Sequence, residues 1–217
     1  MMGRAQVVEL VLKTRLVAIL RLPDLRFAQE IVGSLLAGGI RAIELTMTNT
    51  DAPQVVSELL REIPEFHKNQ AALGIGSVRT VQEAHLAIDS GANFLVSPIC
   101  LEPMIHAAQL ADVAIFPGAF TPSEIAMARE WGADIIKLFP ARSLGPDFVR
   151  DVLAPMPYLK LMPTGGVSLA NMQSYFDAGA VAVGLGGLLL KQNWLQDHDW
   201  SQIEQAAREL VAAAQPS

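Results

Sequence analysis

Cysteine is almost absent: Cys100 stands alone among 217 residues. A lone thiol excludes an intrachain disulfide and any metal site built on cysteine pairs. Charge is also sparse, at 18% of residues, and the balance is acidic, with a net charge of −6. No run of Lys and Arg forms a basic patch, which argues against nucleic acid and anionic membranes as partners. No apolar stretch approaches the roughly 18–20 residues of a spanning helix. Residues 1–15 mix Glu9, Lys13 and Arg15 with short apolar groups and lack the apolar centre and cleavage site of a signal peptide. These absences lead us to expect a soluble, cytoplasmic protein.

What is present is a repeated unit. Hydrophobic residues make up 51% of the chain, enough for a large buried interior, and the length favours one domain over residues 1–217. Short apolar runs at 17–21, 42–48, 72–77, 94–98, 114–120, 135–140, 159–164 and 181–186 alternate with amphipathic stretches. Runs with so little polar alternation read as parallel strands covered on both faces by helices. Glycine recurs at the joints, in Gly38-Gly39, Gly91, Gly132 and Gly179, where the residue past a helix end often needs a positive φ. Thr121-Pro122-Ser123-Glu124, Asp24 and Ser168 read as caps or first-turn residues. Eight strand-then-helix units predict an α/β fold, a (β/α)8 TIM barrel. A helix over 4–14 is expected to close its bottom, and one over 201–214 to cover its outside. The competing open sheet would carry a GxGxxG turn; Gly74-Ile75-Gly76 lacks the third glycine.

Active sites of this fold lie at the carboxyl ends of the strands. Polar residues there are Arg21 after the first strand, Glu44, Thr46 and Thr48 on one face of the second, and Ser77 after the third. Lys137 and Phe139 share one face of the sixth. A lysine in an apolar strand is costly while charged, so burial lowers its pKa, and a neutral amine can attack a ketone to form an imine. Glu44 is the candidate proton carrier. The competing reading is a buried Lys–Glu pair that only holds the barrel together; such pairs are weak stabilising devices. The turns Thr164-Gly165-Gly166 and Gly186-Gly187 follow the seventh and eighth strands, where backbone N–H groups commonly hold a phosphate; tight turns without a ligand are the alternative. Arg21 could fix a carboxylate or be a surface arginine, and Thr48 and Ser77 could be hydroxyl donors or turn residues. His67, His85, His106 and His198 are scattered in polar context, so no metal site and no cofactor is expected. Met156 and Met162 read as packing residues, and Trp194 and Trp200 as packing for the C-terminal segment.

These residues resemble the 2-keto-3-deoxy-6-phosphogluconate (KDPG) and 4-hydroxy-2-oxoglutarate (KHG) aldolase family. The motifs run from Ala18-Ile19-Leu20-Arg21 through Ile43-Glu44-Leu45-Thr46, Gly74-Ile75-Gly76-Ser77-Val78 and Val96-Ser97-Pro98. They continue through Phe116-Pro117-Gly118, Lys137-Leu138-Phe139-Pro140-Ala141 and Pro163-Thr164-Gly165-Gly166-Val167 to Gly186-Gly187. The resemblance implies a metal-free class I aldolase, usually a homotrimer, acting on a small 2-keto acid. It implies that Lys137 forms the Schiff base and Glu44 moves protons. Ser77, Pro98 and Phe139 would line the pyruvyl pocket, and Gly165, Gly166, Gly186 and Gly187 would hold a phosphate. Some members carry Arg where Thr48 stands; others have Thr there and Arg at the end of strand one, which assigns the carboxylate to Arg21. Leu188 stands where some members have Ser beside the phosphate, which weights a shorter or unphosphorylated substrate such as KHG. Oxaloacetate decarboxylation through the same imine, a sugar-phosphate isomerase or epimerase, and an inactive phosphate binder remain the other readings.

Overall fold

Runs of Val, Ile, Leu and Ala can be buried on both faces only if helices cover one side and other strands' side chains fill the other. The structure, a computed structural model, describes residues 2–215; the terminal residues 1, 216 and 217 of the expected 1–217 domain lie outside the described residues. Its strands are β1 (Leu16–Leu20), β2 (Ala42–Thr46), β3 (Ala72–Gly76), β4 (Phe94–Val96), β5 (Ala114–Phe116), β6 (Gly118–Ala119), β7 (Ile136–Leu138), β8 (Leu161–Pro163) and β9 (Val183–Leu185). Pairing runs β5-β4-β3-β2-β1-β9 in one sheet and β6-β7-β8 in the other, always parallel.

The two sheets meet at both edges. A parallel bridge joins Thr164 to Gly184, and the Val181 N–H donates to the Leu161 carbonyl at 3.0 Å. At the other edge the run expected at 114–120 is split into β5 and β6 by Pro117, which has no N–H to give a ladder. The Pro117 carbonyl still accepts from the Lys137 N–H at 2.9 Å, so β7 is held across the break. The outcome is the expected (β/α)8 barrel with its fifth strand in two pieces. Each strand stops one or two residues before the end of the corresponding apolar run, because the top residues bend away into loops.

The helix at Arg4–Thr14 matches its expected range and plugs the bottom. Val7, Val8 and Val11 pack against the lowest inward residues of the strands, among them Val17, Ala42, Ala72, Phe94, Ala114 and Ile135. A second, larger apolar layer lies between the strands and the outer helices. In it the Trp200–Ala214 helix lies close against the Ala28–Ala37 helix, and Gly38 gives way to Ala207, whose Cβ would be 2.4 Å from a Cβ there. Three of the helix-end glycines have φ of 85° to 101° (Gly91, Gly132 and Gly179); at the first joint it is Gly39, at 98°, that turns left-handed. Thr121 caps its helix with a reciprocal Glu124 capping box. Asp24 and Ser168 do not cap: Asp24 accepts from the Arg26 backbone N–H and guanidinium in a loop, and Asn171 and Phe27 precede the neighbouring helices instead. The four histidines are exposed, with His198 stacked on Trp200 and tilted against Phe27.

Where β4 runs past β6, the Pro98 backbone lies so close that a Cβ on Gly118 would sit 2.4 Å from its carbonyl carbon. Backbone cannot rotate away as a side chain can. Gly118→Ala is therefore expected to destabilise the barrel by about 1–3 kcal/mol, read as a lowered urea midpoint; an unchanged midpoint would show that this corner yields freely.

Candidate active site

Side chains alternate along a strand, so residues two and four above the inward bottom layer also point inward. That rule places Glu44 and Lys137 inside the barrel, above Ala42 and Ile135. Glu44 lies in register with Ile19 on β1 and Gly74 on β3. Lys137 lies in register with Gly118 on β6 and Met162 on β8. The space around them comes from missing side chains. A Cβ on Gly74 would meet the Phe94 ring at 2.7 Å, one on Gly76 would meet the Glu44 carboxyl carbon at 2.5 Å, and one on Gly184 would strike Thr164 Oγ1.

Burial dominates the electrostatics. Glu44 is 1% exposed and Lys137 6% exposed. Desolvation pushes the Glu44 carboxyl up to about 7, against the pull of the Lys137 and Arg21 charges. Desolvation likewise lowers the Lys137 amine, Glu44 opposing and Arg21 adding to the shift. Both groups move towards their neutral forms, which is the state of an attacking amine and of an acid able to give or take a proton near neutrality. Glu44 Oε2 is buried without a hydrogen-bond partner. A purely structural ion pair repays its desolvation only when its remaining lone pairs are satisfied. The unsatisfied oxygen therefore counts against that reading. The Lys137 amine also lies 4.7 Å from the centre of the Phe139 ring, a cation–π contact that favours the charged form and opposes the desolvation.

Above this pair a cavity of about 610 Å³ opens at the carboxyl ends of the strands. Its walls include Arg21, Lys137, Phe139, Thr164, Gly165, Gly166, Gly186 and Gly187, eight of the residues singled out in the sequence. Thr164 is buried, its hydroxyl donating to the Met162 carbonyl at 3.3 Å. Gly165 and Gly166 adopt φ of 85° and 94°, a turn that side-chain-bearing residues rarely take. Four other singled-out residues stand off the cavity wall. Glu44 lies beneath it, its carboxyl against Gly76. Thr48 lies beyond β2, exposed in a turn, its hydroxyl 2.8 Å from that of Thr46. Ser77 is held at φ 61°, with its hydroxyl 3.5 Å from an Arg21 nitrogen, so it stands behind that arginine. Pro98 packs its backbone against Gly118, the residue in register with Lys137.

A lysine and a glutamate inside a barrel of this topology, beneath a glycine-walled cavity, match a known pattern. The family model for aldolases of the KDPG and KHG type matches residues 7–206. The chain belongs to the KDPG and KHG aldolase family. This makes it an aldolase, a carbon–carbon lyase. It is 30% identical over 199 residues to the 2-dehydro-3-deoxy-phosphogluconate aldolase of Dickeya dadantii, covering 91% of both chains. The KHG/KDPG aldolase of Escherichia coli matches to the same extent. Among solved structures, a 4-hydroxy-2-oxoglutarate/2-dehydro-3-deoxyphosphogluconate aldolase superposes with a TM-score of 0.82 at 28% identity, covering 96% of this chain and 98% of that one.

The KDPG and KHG aldolase framework here also carries cavity residues that the strand pattern did not single out: Ile19, Arg142, Val167, Gly184 and Leu190, together with Leu188. Arg142 carried one signal, a cation two residues past Pro140 in the loop after β7, where site residues gather. Cys100 is no competing nucleophile, because burial and the Glu124 carboxylate hold its thiol at about 11.

The Gly76 position supplies a direct test. Its missing Cβ faces the mobile end of Glu44, so Gly76→Ala is expected to push the carboxyl aside and leave the strand in place. Turnover should fall by about 10- to 100-fold, the effect of an ångström-scale misplacement, with the unfolding free energy from urea titration lowered by no more than about 1 kcal/mol. Full activity in that variant would mean that the Glu44 position is not critical.

Proposed function

We propose that the barrel cleaves 2-keto acids through an imine on Lys137, with KDPG giving pyruvate and glyceraldehyde 3-phosphate, and KHG giving pyruvate and glyoxylate. The observation that carries this reading is the buried Lys137 amine, its pKa lowered by desolvation, opening onto a cavity beside an equally buried Glu44. The Lys137 amine attacks the C2 ketone, and loss of water from the carbinolamine gives the iminium ion. Glu44, directly or through a water, accepts the proton of the C4 hydroxyl as the C3–C4 bond breaks. The bonding electrons move to the iminium nitrogen, leaving an enamine and a free aldehyde. Proton return to C3 and addition of water then release pyruvate and the amine. Arg21 lies close enough to act on both groups electrostatically, which supports its holding the pyruvyl carboxylate. The Thr164–Gly166 and Gly186-Gly187 turns then face the other end of the substrate, with Phe139 and Pro98 bounding the pyruvyl part and Ser77 steadying Arg21. Thr48 acts only by fixing Thr46.

The working unit in this proposal is one domain over 1–217, a homotrimer in the cytoplasm that engages neither nucleic acid nor membrane. No described helix is long and apolar enough to cross a membrane. A sedimentation mass three times that of the 23.4 kDa chain checks the trimer.

Incubation with pyruvate and borohydride, followed by peptide mass spectrometry, is expected to place a reduced pyruvyl adduct on Lys137. Lys137→Ala should yield neither adduct nor turnover. Absence of an adduct on the folded native protein would sink the mechanism and favour an isomerase or an inactive binder.

The pH dependence follows from Glu44. The carboxyl must be ionised to accept the hydroxyl proton and is held near 7, so kcat/KM for cleavage should rise as pH climbs through about 7. Glu44→Gln removes the titrating group. That variant should lose the limb and about 10²–10⁴ in kcat. A limb that persists unchanged in Glu44→Gln would assign it to another group.

A further inference from the structure

Arg142 has no part in the chemistry just described, yet its side chain lines the cavity. Its backbone is locked on both sides. The Arg142 N–H donates to the Gly165 carbonyl at 2.8 Å, the Ala141 N–H to the Thr164 carbonyl at 2.9 Å, and the buried Tyr175 hydroxyl to the Ala141 carbonyl at 3.2 Å. Gly166 packs directly on Arg142, since a Cβ there would be 2.5 Å from the Arg142 Cβ. The arginine therefore has to leave the chain beside the Gly165-Gly166 turn, at the cavity rim.

Its charge is also uncommitted. Arg4, Arg26, Arg79, Arg150 and Arg208 pair with carboxylates, and Arg15, Arg41 and Arg129 donate to backbone carbonyls. Among the described residues Arg142 has neither kind of partner. The remaining walls at this end are apolar or bare backbone: Val167, Leu188, Leu190 and the two glycine turns. Leu188 offers no hydroxyl, and the Thr164 hydroxyl is engaged with the Met162 carbonyl at 3.3 Å, so Arg142 is the strongest donor available to an anion there.

Position sets which anion. Phe139 touches both ends: the Lys137 amine lies 4.7 Å from its ring centre, and the Gly165 Cβ position 3.4 Å from its ring edge. Lys137 lies within β7 and Arg142 in the loop five residues beyond it, so a group at Gly165, Gly166 and Arg142 lies further up the cavity than the imine. A phosphate ester at the end of a longer chain extends further from the imine than a carboxylate on the carbon of the cleaved bond, which suits the phosphate to this place.

We propose that Arg142 is a specificity residue that selects 2-keto acids, and acceptor aldehydes, ending in a phosphate monoester, its guanidinium supplying the charge that Leu188 and the glycine turns lack. The proposal rests on the Lys137 aldolase reading and deepens it. Guanidinium–phosphate contacts are charge-assisted and can be bidentate, stronger than a hydroxyl's single bond.

The test measures condensation of pyruvate with glyceraldehyde 3-phosphate, glyceraldehyde and glyoxylate. In Arg142→Gln the ratio of kcat/KM for glyceraldehyde 3-phosphate over glyceraldehyde is expected to fall by about 10- to 100-fold, mostly through KM for the phosphorylated acceptor. Arg142→Lys, which keeps a point charge, should fall less. A ratio within about threefold of the native value would overturn the proposal, as would a loss confined to glyoxylate, which would make the partner a carboxylate. Borohydride trapping of pyruvate on the native protein separates the two failures. No adduct removes the lysine mechanism itself, whereas an adduct with an unshifted ratio removes only the role of Arg142.

Discussion

Two groups of opposite charge, the Lys137 amine and the Glu44 carboxyl, are held in the barrel interior where water cannot solvate them. Withdrawing a charge from water costs several kcal/mol, and attraction between the two offsets this only in part. The lowered amine and the raised carboxyl are consequences of that balance. Everything else about the site is subordinate to it. The plug helix Arg4–Thr14 seals the bottom, the outer helices cover the sides, and a cavity opens at the strand ends, where a keto acid would enter.

Room for this pair comes from glycine more than from loops. Gly74, Gly76, Gly118 and Gly184 each lie where a methyl group would overlap a neighbouring ring, carboxyl, backbone or hydroxyl. Close-packed interiors tolerate no spare methyls, so a barrel that must hold Phe94, Glu44 and Thr164 pointing inward needs bare positions opposite them. The same economy explains the upper wall. Gly165 and Gly166 turn through a left-handed conformation, which lets the Arg142 backbone lie against them.

Much of the fold was legible because both signals are local. Apolar runs of five to seven residues and glycines at helix ends follow from strand burial and from backbone sterics, and each landed in an element of the expected kind. Run ends were less legible. Thr48 looked like a third inward residue after Glu44 and Thr46, but β2 stops at Thr46 and the chain turns, leaving Thr48 exposed. Pro117 interrupts the fifth run for a reason visible in its chemistry, although its consequence for pairing depends on which partner strand lies beside it. Asp24 looked like a helix cap and instead folds back on Arg26 in a loop, because the helix begins only at Ala28.

The sequence by itself determined which residues face inward, since the pleat alternates with a period of two whatever the fold, and it determined that a lysine would sit among apolar neighbours. It also determined the (β/α)8 class, through eight repeats of one pattern. Only the tertiary structure decided who meets whom. Register around the closed barrel sets Glu44 beside Gly76 and near Lys137, 93 positions further along the chain. It also brings Arg142 to Gly165 and Gly166 at the far end of the cavity. Such pairings depend on strand tilt and stagger, which are properties of closing the whole sheet and leave no mark in any one segment.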